Sequence, residues 1–428
     1  MGTTIKLLRR AAASYLVSSS SALLARFATP RRLHGCAAGE VVNPVASQMI
    51  GYALSHARSD KSDESYSQGL LVLEQCLSSQ ATDGNARAAV LLAISTLLHE
   101  RERFDEAIDR LREVECITDS ALRPRVAAME ALVGLHLQLG QDDTSSVVAD
   151  KCLDLVKREA SDETNSSNLV TSARSKAVKG LVELVRGNLD FAGNYFEGND
   201  GEKYAAGSAA LINSNVALSY GEYLHSTNNF SLAKEVYSNV VQGTPESHGS
   251  SQSALAACSM ASEEVTLAAN CALGQLYSHF GNFSDAEETF TKALTETEAY
   301  YGSNHPKVGI VLTCIALMYR WKAMKERSSS LLVQEGLLRK AIELLKAPAM
   351  DSGGAGVSFI RRDVIALARG AYAEILRIQQ NRRDEGEKMK IWAESAWCNH
   401  RMRLSEALDV SELSSKVPIV DCRISRIL

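Results

Sequence analysis

The stretch CALGQLYSHFGNFSDAEETFTKAL, residues 271–294, decides the fold. Gly274 sits inside one apolar run, Gly281 and Asn282 lie in the middle, and Ala286 sits inside a second run. A glycine within a helix costs about 1 kcal/mol against alanine. Keeping one there implies that something comes too close for a side chain. Gly274 and Ala286 are twelve residues apart with a turn between them. That spacing puts both on facing surfaces of two antiparallel helices, and Phe290, one turn further on, fills the adjacent gap. The Gly-Asn turn closes a short helical hairpin.

The unit recurs along the chain. A small or modest residue is followed after twelve positions by another, and after four more by a bulkier one. The series runs Ser95, Ala107, Leu111; Val133, Ser145, Ala149; Gly180, Ala192, Phe196; Gly221, Ala233, Tyr237; and Gly274, Ala286, Phe290. Seven residues after the first small site stands a turn residue: Gly140, Gly187, Asn228 or Gly281. Two further on stands an apolar plug: Phe104, Leu189, Phe230 or Phe283. The first small sites lie 38 to 57 residues apart, and the excess length falls in polar connections at 159–168, 243–253 and 347–357. Such segments read as irregular surface loops.

This pattern resembles the tetratricopeptide repeat (TPR). Leu273, Gly274, Tyr277, Gly281, Ala286, Phe290 and Ala293 fall at signature sites, while Asn270 stands where the family usually has tryptophan. The following segment, YYGSNHPKVGIVLTCIALMY (residues 300–319), brings Ile315, Ala316 and Tyr319. Its Gly-x-x-His-Pro turn is similar to the longer repeat of kinesin light chains. The heptad coiled coil of those proteins is missing, so motor binding does not carry over. The second helix of that repeat arrives late, which reads as a loop inserted at residues 325–330. Weaker units flank these, at 46–77 in front and around Ala373, Leu376 and NRRDEGEKMKIW behind. The resemblance implies an all-α, right-handed superhelical solenoid of about six to eight hairpins over residues 45–400. Residues 401–428 are expected to form a C-terminal cap and tail, with WAESAWCNHRMRL (392–404) covering the last apolar face.

Composition agrees with an all-helical soluble protein: of 428 residues, 45% are hydrophobic, only seven are proline, and long Val/Ile/Thr alternations are missing. The net charge of −5 hides an asymmetry. Residues 1–39 carry six Lys or Arg and no acid, leaving 40 basic and 51 acidic residues, a charge of −11, on the remainder. An acidic body is a poor generic partner for nucleic acid. The N-terminal stretch is rich in Arg, Ser, Ala and Leu, as organellar import signals are. We therefore expect residues 1–39 to be a mitochondrial transit peptide, with the matrix as destination and a plastid as the less favoured one. No segment is long and apolar enough to span a bilayer; AAVLLAISTLL (88–98) stops at His99 and Glu100.

Nine cysteines are scattered, without CxxC or zinc spacing, and read as reduced buried thiols; no metal or cofactor is expected. Asn165, Asn229 and Asn282 begin N-x-S sequons, but the last two occupy equivalent inter-helix turns, where asparagine suits the backbone. GxxxxGK[ST], HExxH and GxSxG are missing, and Glu287, Glu288 and Glu296 read as a solvated helix side.

In TPR arrays the first helices of the hairpins line a concave groove for a peptide or a partner helix. The corresponding positions here offer Ala89, Ala93, Ala127, Ala131, Ala268, Ala272, Ile310 and Cys314, with Arg174 and Asn215 as polar exceptions. The Lys/Arg/Asn pattern of the chaperone-tail clamp is absent, so an apolar segment or a helix is the expected guest. Candidate groove residues are Glu222, His225, Gln275, Ser278, His279, Arg320 and Trp321. The expectation is a non-catalytic mitochondrial scaffold or adaptor that binds protein, in assembly or maintenance of an organellar complex. An RNA-associated helical-repeat protein and an unrecognised enzyme are the alternatives.

Overall fold

The structure is a computed structural model that describes residues 43–80, 82–159, 166–196, 215–243, 255–350, 360–410 and 417–428. The expected targeting segment, Asn165 and most of the three long connections lie outside the described residues. Among the described residues the chain is all-α, with seventeen α-helices and one pair of two-residue strands.

Sixteen of the helices form eight consecutive pairs. The first four are α1 (Pro44–Asp60) with α2 (Asp63–Ser79), α3 (Gly84–Glu100) with α4 (Phe104–Glu115), α5 (Leu122–Gln138) with α6 (Asp142–Glu159), and α7 (Ser166–Val185) with α8 (Leu189–Phe196). Then come α9 (Asn215–Ser226) with α10 (Phe230–Gln242), and α11 (Ser262–Phe280) with α12 (Phe283–Tyr301). The last are α13 (Pro306–Glu326) with α14 (Leu331–Leu344), and α15 (Arg362–Ile378) with α16 (Arg383–Ala396). A one-turn helix, α17 (Leu404–Ala407), follows. Each odd-numbered helix from α1 to α15 also touches the next odd-numbered one, so the first helices of the pairs form a layer of their own.

Helix starts follow local chemistry. The Asp83 side chain accepts from the amide of Ala86 at α3, and Ser62 accepts from Ser65 at α2, whose first turn carries Asp63 and Glu64. The links between paired helices turn through left-handed backbone at Glu102, Gly140, Gly187, Asn228 and Gly281, with φ from 60° to 76°. All five stand seven residues after a first small site. Asn229 and Asn282 then precede α10 and α12 with near-identical backbone angles.

Within pairs, bulky residues fill the space that glycine leaves. A Cβ on Gly180 would lie 2.5 Å from the ring of Phe196, one on Gly221 would lie 2.6 Å from Tyr237, and one on Gly274 would lie 2.9 Å from Phe290. Ala192, Ala233, Ala286 and Ala293 are fully buried opposite, and Leu273 and Ala316 are buried too. Tyr277 and Tyr319 are half-buried, the latter donating to Glu287 at 2.8 Å. Asn270, at the tryptophan position, donates to Glu296 at 3.1 Å. Glu287 and Glu296 are thus half-buried partners rather than solvated charges; Glu288 is the exposed one.

The extra residues after Tyr319 are not simply a loop. α13 continues to Glu326, a full turn further than α11 runs past its glycine, and Arg327–Ser330 alone link it to α14. Ser330 Oγ donates to the carbonyl of Tyr319 and fixes that turn at 3.2 Å.

The pairs close on one another across long sequence distances. The Glu100 carboxylate of α3 accepts from Arg58 at 2.7 Å, Tyr66 at 2.8 Å and Tyr300 at 3.0 Å, and the Arg58 guanidinium lies over the Tyr300 ring. Glu102 is paired with Lys346 and, at 2.6 Å, with Arg361. α3 therefore meets the α12–α13 region about 200 residues along. No helix among the described residues is long and apolar enough to cross a membrane.

The occupied inner face as candidate functional site

Burial separates the two helices of each pair. α4 is buried only at Phe104, Ala107, Ile108, Leu111 and Val114, a single stripe at helical spacing. α3, its odd-numbered counterpart, is buried along nearly its whole length, α9 along all of it, α5, α11 and α15 along most of theirs, and α13 from Pro306 to Ala316. Helices buried on every side need a second covering layer. The chain supplies it with two of its own segments.

The first is residues 255–261. Its 3₁₀ turn (Cys258–Met260) lies against α3, α5 and α11. Thr96 Oγ1 accepts from the amide of Cys258 at 3.0 Å, and Arg174 donates to the carbonyl of Leu255 at 2.8 Å while pairing with Glu130.

The second is residues 417–428. Strands β1 (Val420–Asp421) and β2 (Arg426–Ile427) pair antiparallel, Val420 opposite Ile427 and Asp421 opposite Arg426. The Asp421 carboxylate accepts from the amide of Arg423 at 2.7 Å and shapes the turn between them. This hairpin does not cap the end of the array. It crosses the odd-numbered helices from α5 to α15.

Scaffold side chains hold its main chain. Gln275 of α11 accepts from the amide of Val420 at 2.8 Å and donates to its carbonyl at 3.1 Å. Lys307 of α13 donates to the carbonyls of Cys422 and Arg423, each at 3.1 Å, and Gln138 of α5 donates to that of Arg423 at 2.8 Å. Asn399 donates to the carbonyl of Ile427 at 2.6 Å, and Arg401 to those of Val417 and Leu428.

Two arginines anchor the hairpin. Arg423 is fully buried, with Asp421 at 2.8 Å, Glu222 at 2.7 Å, Ser219 at 3.1 Å and Asn215 around its guanidinium. One cation faces two buried carboxylates there. Burial and then the neighbouring Asp421 push Glu222 well above the usual carboxylate range, so a proton on Glu222 keeps the triad neutral. Arg426 bonds to Asp363 at 2.7 Å, to Asp142 at 2.8 Å and to the carbonyl of Leu137 at 3.0 Å. Next to Arg423 in sequence, the Cys422 thiol is held down to about 5 by hydrogen bonds with the Cys271 and Cys314 thiols, which are themselves pushed up. The eight cysteines among the described residues are all free, and Cys116 is exposed rather than buried.

The residues singled out in the sequence divide accordingly. Glu222 and Gln275 hold the hairpin. His225, His279 and Trp321 form a separate column: His225 Nε2 lies 3.1 Å from His279 Nδ1, and the His279 and Trp321 rings are 6.0 Å apart. Ser278 is buried and donates to the carbonyl of Gly274 within its own helix. Arg320 is spent on the carbonyl of Leu408 and on Glu374. Ala89, Ala93, Ala127, Ala131, Ala268, Ala272, Ile310 and Cys314 are all buried. The inner face is therefore occupied rather than open, and its specific contacts are polar rather than apolar. Gln138, Asp142, Ser219, Lys307, Asp363, Asn399 and Arg401 went unrecognised in the sequence. The available signal was Arg423 and Arg426, two charges in the otherwise mostly apolar tail VPIVDCRISRIL.

A cavity of about 10 Å³, with room for one water, is lined by His99, Tyr301, His305, Lys307, Arg361 and Ser425. Burial lowers His99 and His305 to about 3, as it does His279, and carries His225 well below its ordinary value. Groups held neutral in the fold but free to protonate when unfolded remove stability as pH falls through the unfolded value, about 6.5. Each such histidine contributes about 1.4 kcal/mol per pH unit below it, until its folded pKa is reached. Glu222, raised by burial, has the opposite sign and reduces the net dependence. Urea unfolding midpoints should therefore fall between pH 7.5 and 5.5, and His99→Asn should flatten that dependence.

No family model matches the chain, and no curated protein matches it significantly. Among the described residues, no group of three or more His, Cys, Asp or Glu is arranged to hold a metal ion.

Proposed function

We propose that the chain is a TPR-type solenoid acting as a non-catalytic protein adaptor, with the layer of odd-numbered helices as its recognition surface. The observation that carries this reading is the capture of a β-hairpin by side chains from five separate odd-numbered helices. Gln138, Gln275 and Lys307 bond to its main-chain carbonyls and amides, and Asn215, Ser219, Glu222 and Asp363 hold its two arginines. Backbone hydrogen bonds for affinity with side-chain pockets for specificity is a recurring division of labour in peptide recognition. The glycine and alanine register of the pairs, with Phe196, Tyr237 and Phe290 seated against glycine, supports the TPR assignment.

The organelle follows from the composition of residues 1–39 alone. A reporter fused to that segment should enter mitochondria only while the membrane potential is maintained; a cytosolic or secreted reporter would remove the localisation from the proposal. Affinity capture of the full chain from intact organelles, followed by mass spectrometry, tests the adaptor role. A stable co-purifying complex supports a part in assembly or maintenance. Salt-sensitive retention of RNA, or turnover of a small molecule by the pure protein, would favour the alternatives.

A further inference from the structure

We infer that the inner face is a binding site for a hairpin-forming protein segment bearing Arg-x-x-Arg, and that residues 417–428 are its resident, exchangeable occupant. The inference rests on the adaptor reading above and names the partner's chemistry. Three observations converge on it.

The anchor pockets belong to the scaffold. Arg423 enters one built from Asn215, Ser219 and Glu222 on α9. Arg426 enters another built from Asp363 on α15 and Asp142 on α6. Their positions in sequence, 423 and 426, set the spacing a guest must match. Planar guanidinium against carboxylate gives this geometry its selectivity, which lysine does not reproduce.

Up to and including the first anchor, the scaffold reads main chain. Gln275, Lys307 and Gln138 bond to backbone groups of Val420, Cys422 and Arg423, and these bonds are indifferent to the guest's side chains. Ile424 and Ile427 are fully buried beside the arginines, so an apolar residue belongs next to each anchor.

The occupant also brings its own counter-charge. Asp421 pairs with Arg423 inside the hairpin, so on release neither group is stranded. What the scaffold keeps, Glu222, Gln275, Lys307 and Asp363, is polar and can be hydrated. A covalently attached tail competes at an effective concentration on the order of millimolar. Wild-type chain should therefore take up a free segment weakly, and a chain with a weakened tail should take it up well.

The test uses the full chain and a fluorescently labelled synthetic peptide of residues 417–428. Arg423→Ala, Arg426→Ala full-length protein should bind the peptide at least about tenfold more tightly than wild type. Adding Asp142→Asn and Asp363→Asn, which remove the two carboxylates around the second arginine, to that variant should abolish the gain. A peptide with both arginines changed to lysine should bind at least about tenfold more weakly. Hydrogen exchange on the wild-type chain gives a second reading that needs no variant. Amides of 417–428 should exchange through an opening that leaves α9 and α11 protected. A folded double variant that ignores the peptide overturns the inference. So does exchange of the tail only at the rate of global unfolding, which would make it a core segment even if the double variant failed to fold. Peptide exchange without partner capture from organelles overturns the adaptor reading alone; capture without peptide exchange overturns the occupant alone.

Discussion

Arg423→Ala should weaken the docking of residues 417–428 by about 3–5 kcal/mol, the usual cost of removing one partner from a buried ion pair. The arginine is fully buried, and its loss leaves Glu222 and Asp421 facing each other with no cation between them. The bonds to Ser219 and Asn215 go with it. On the exchange inferred above, the cost falls on the hairpin first, since each helix pair keeps its own internal packing. Hydrogen-exchange protection of 417–428 should drop by roughly two to four decades while the helical signal holds. Glu222→Gln is the matched control. With a proton already favoured on Glu222, the amide preserves its charge state and most of its shape. That variant should stay within about 1 kcal/mol of wild type. Equal protection of the tail in Arg423→Ala and Glu222→Gln proteins would show that the triad does not hold it.

Gly221→Leu should cost about 3 kcal/mol or more, through overpacking of a pair that has no room for a side chain. Even a Cβ at Gly221 would stand 2.6 Å from Tyr237, whose ring is fully buried and has nowhere to turn. Gly180 and Gly274 are the same case, against Phe196 and Phe290. Two substitutions fix the scale. Glu288→Leu, on the exposed side of α12, should stay within about 0.5 kcal/mol. Gly336→Ala in α14 should stabilise by about 0.5–1 kcal/mol, because nothing lies within 4 Å of its Cβ position and alanine is the better helix former. Urea melts of the four proteins should rank in that order. A Gly221→Leu midpoint no lower than that of Glu288→Leu would mean that the pairs are in a different register.

Two of the candidate site residues, Glu222 and Gln275, were legible beforehand because they stand on odd-numbered helices directly after the packing glycines Gly221 and Gly274. Their role was not. Glu222 reads in the sequence as a half-exposed acid of a groove wall, and only its 2.7 Å bond to Arg423 makes it an anchor. Arg320 and Trp321 had the composition of a hot spot but serve the fold itself, through Leu408 and His279. Lys307 gave no sign at all, being one lysine after a His-Pro turn.

The sequence by itself determined the helix pairs. Each depends on interactions within about twenty residues: a glycine, a left-handed turn seven positions later, a small residue at twelve and a ring at sixteen, as in Gly221, Asn228, Ala233 and Tyr237. Helical geometry fixes those offsets, so the residues can be read as a pattern. Tertiary structure alone decided what covers the inner face and how α3 meets Tyr300 and Arg361. Those contacts join groups up to 289 positions apart, such as Glu100 and Tyr300, 200 apart, or Leu137 and Arg426. A twelve-residue tail bound through its main chain carries no period of its own. Its place is set by carboxylates and amides that become neighbours only after the pairs have stacked.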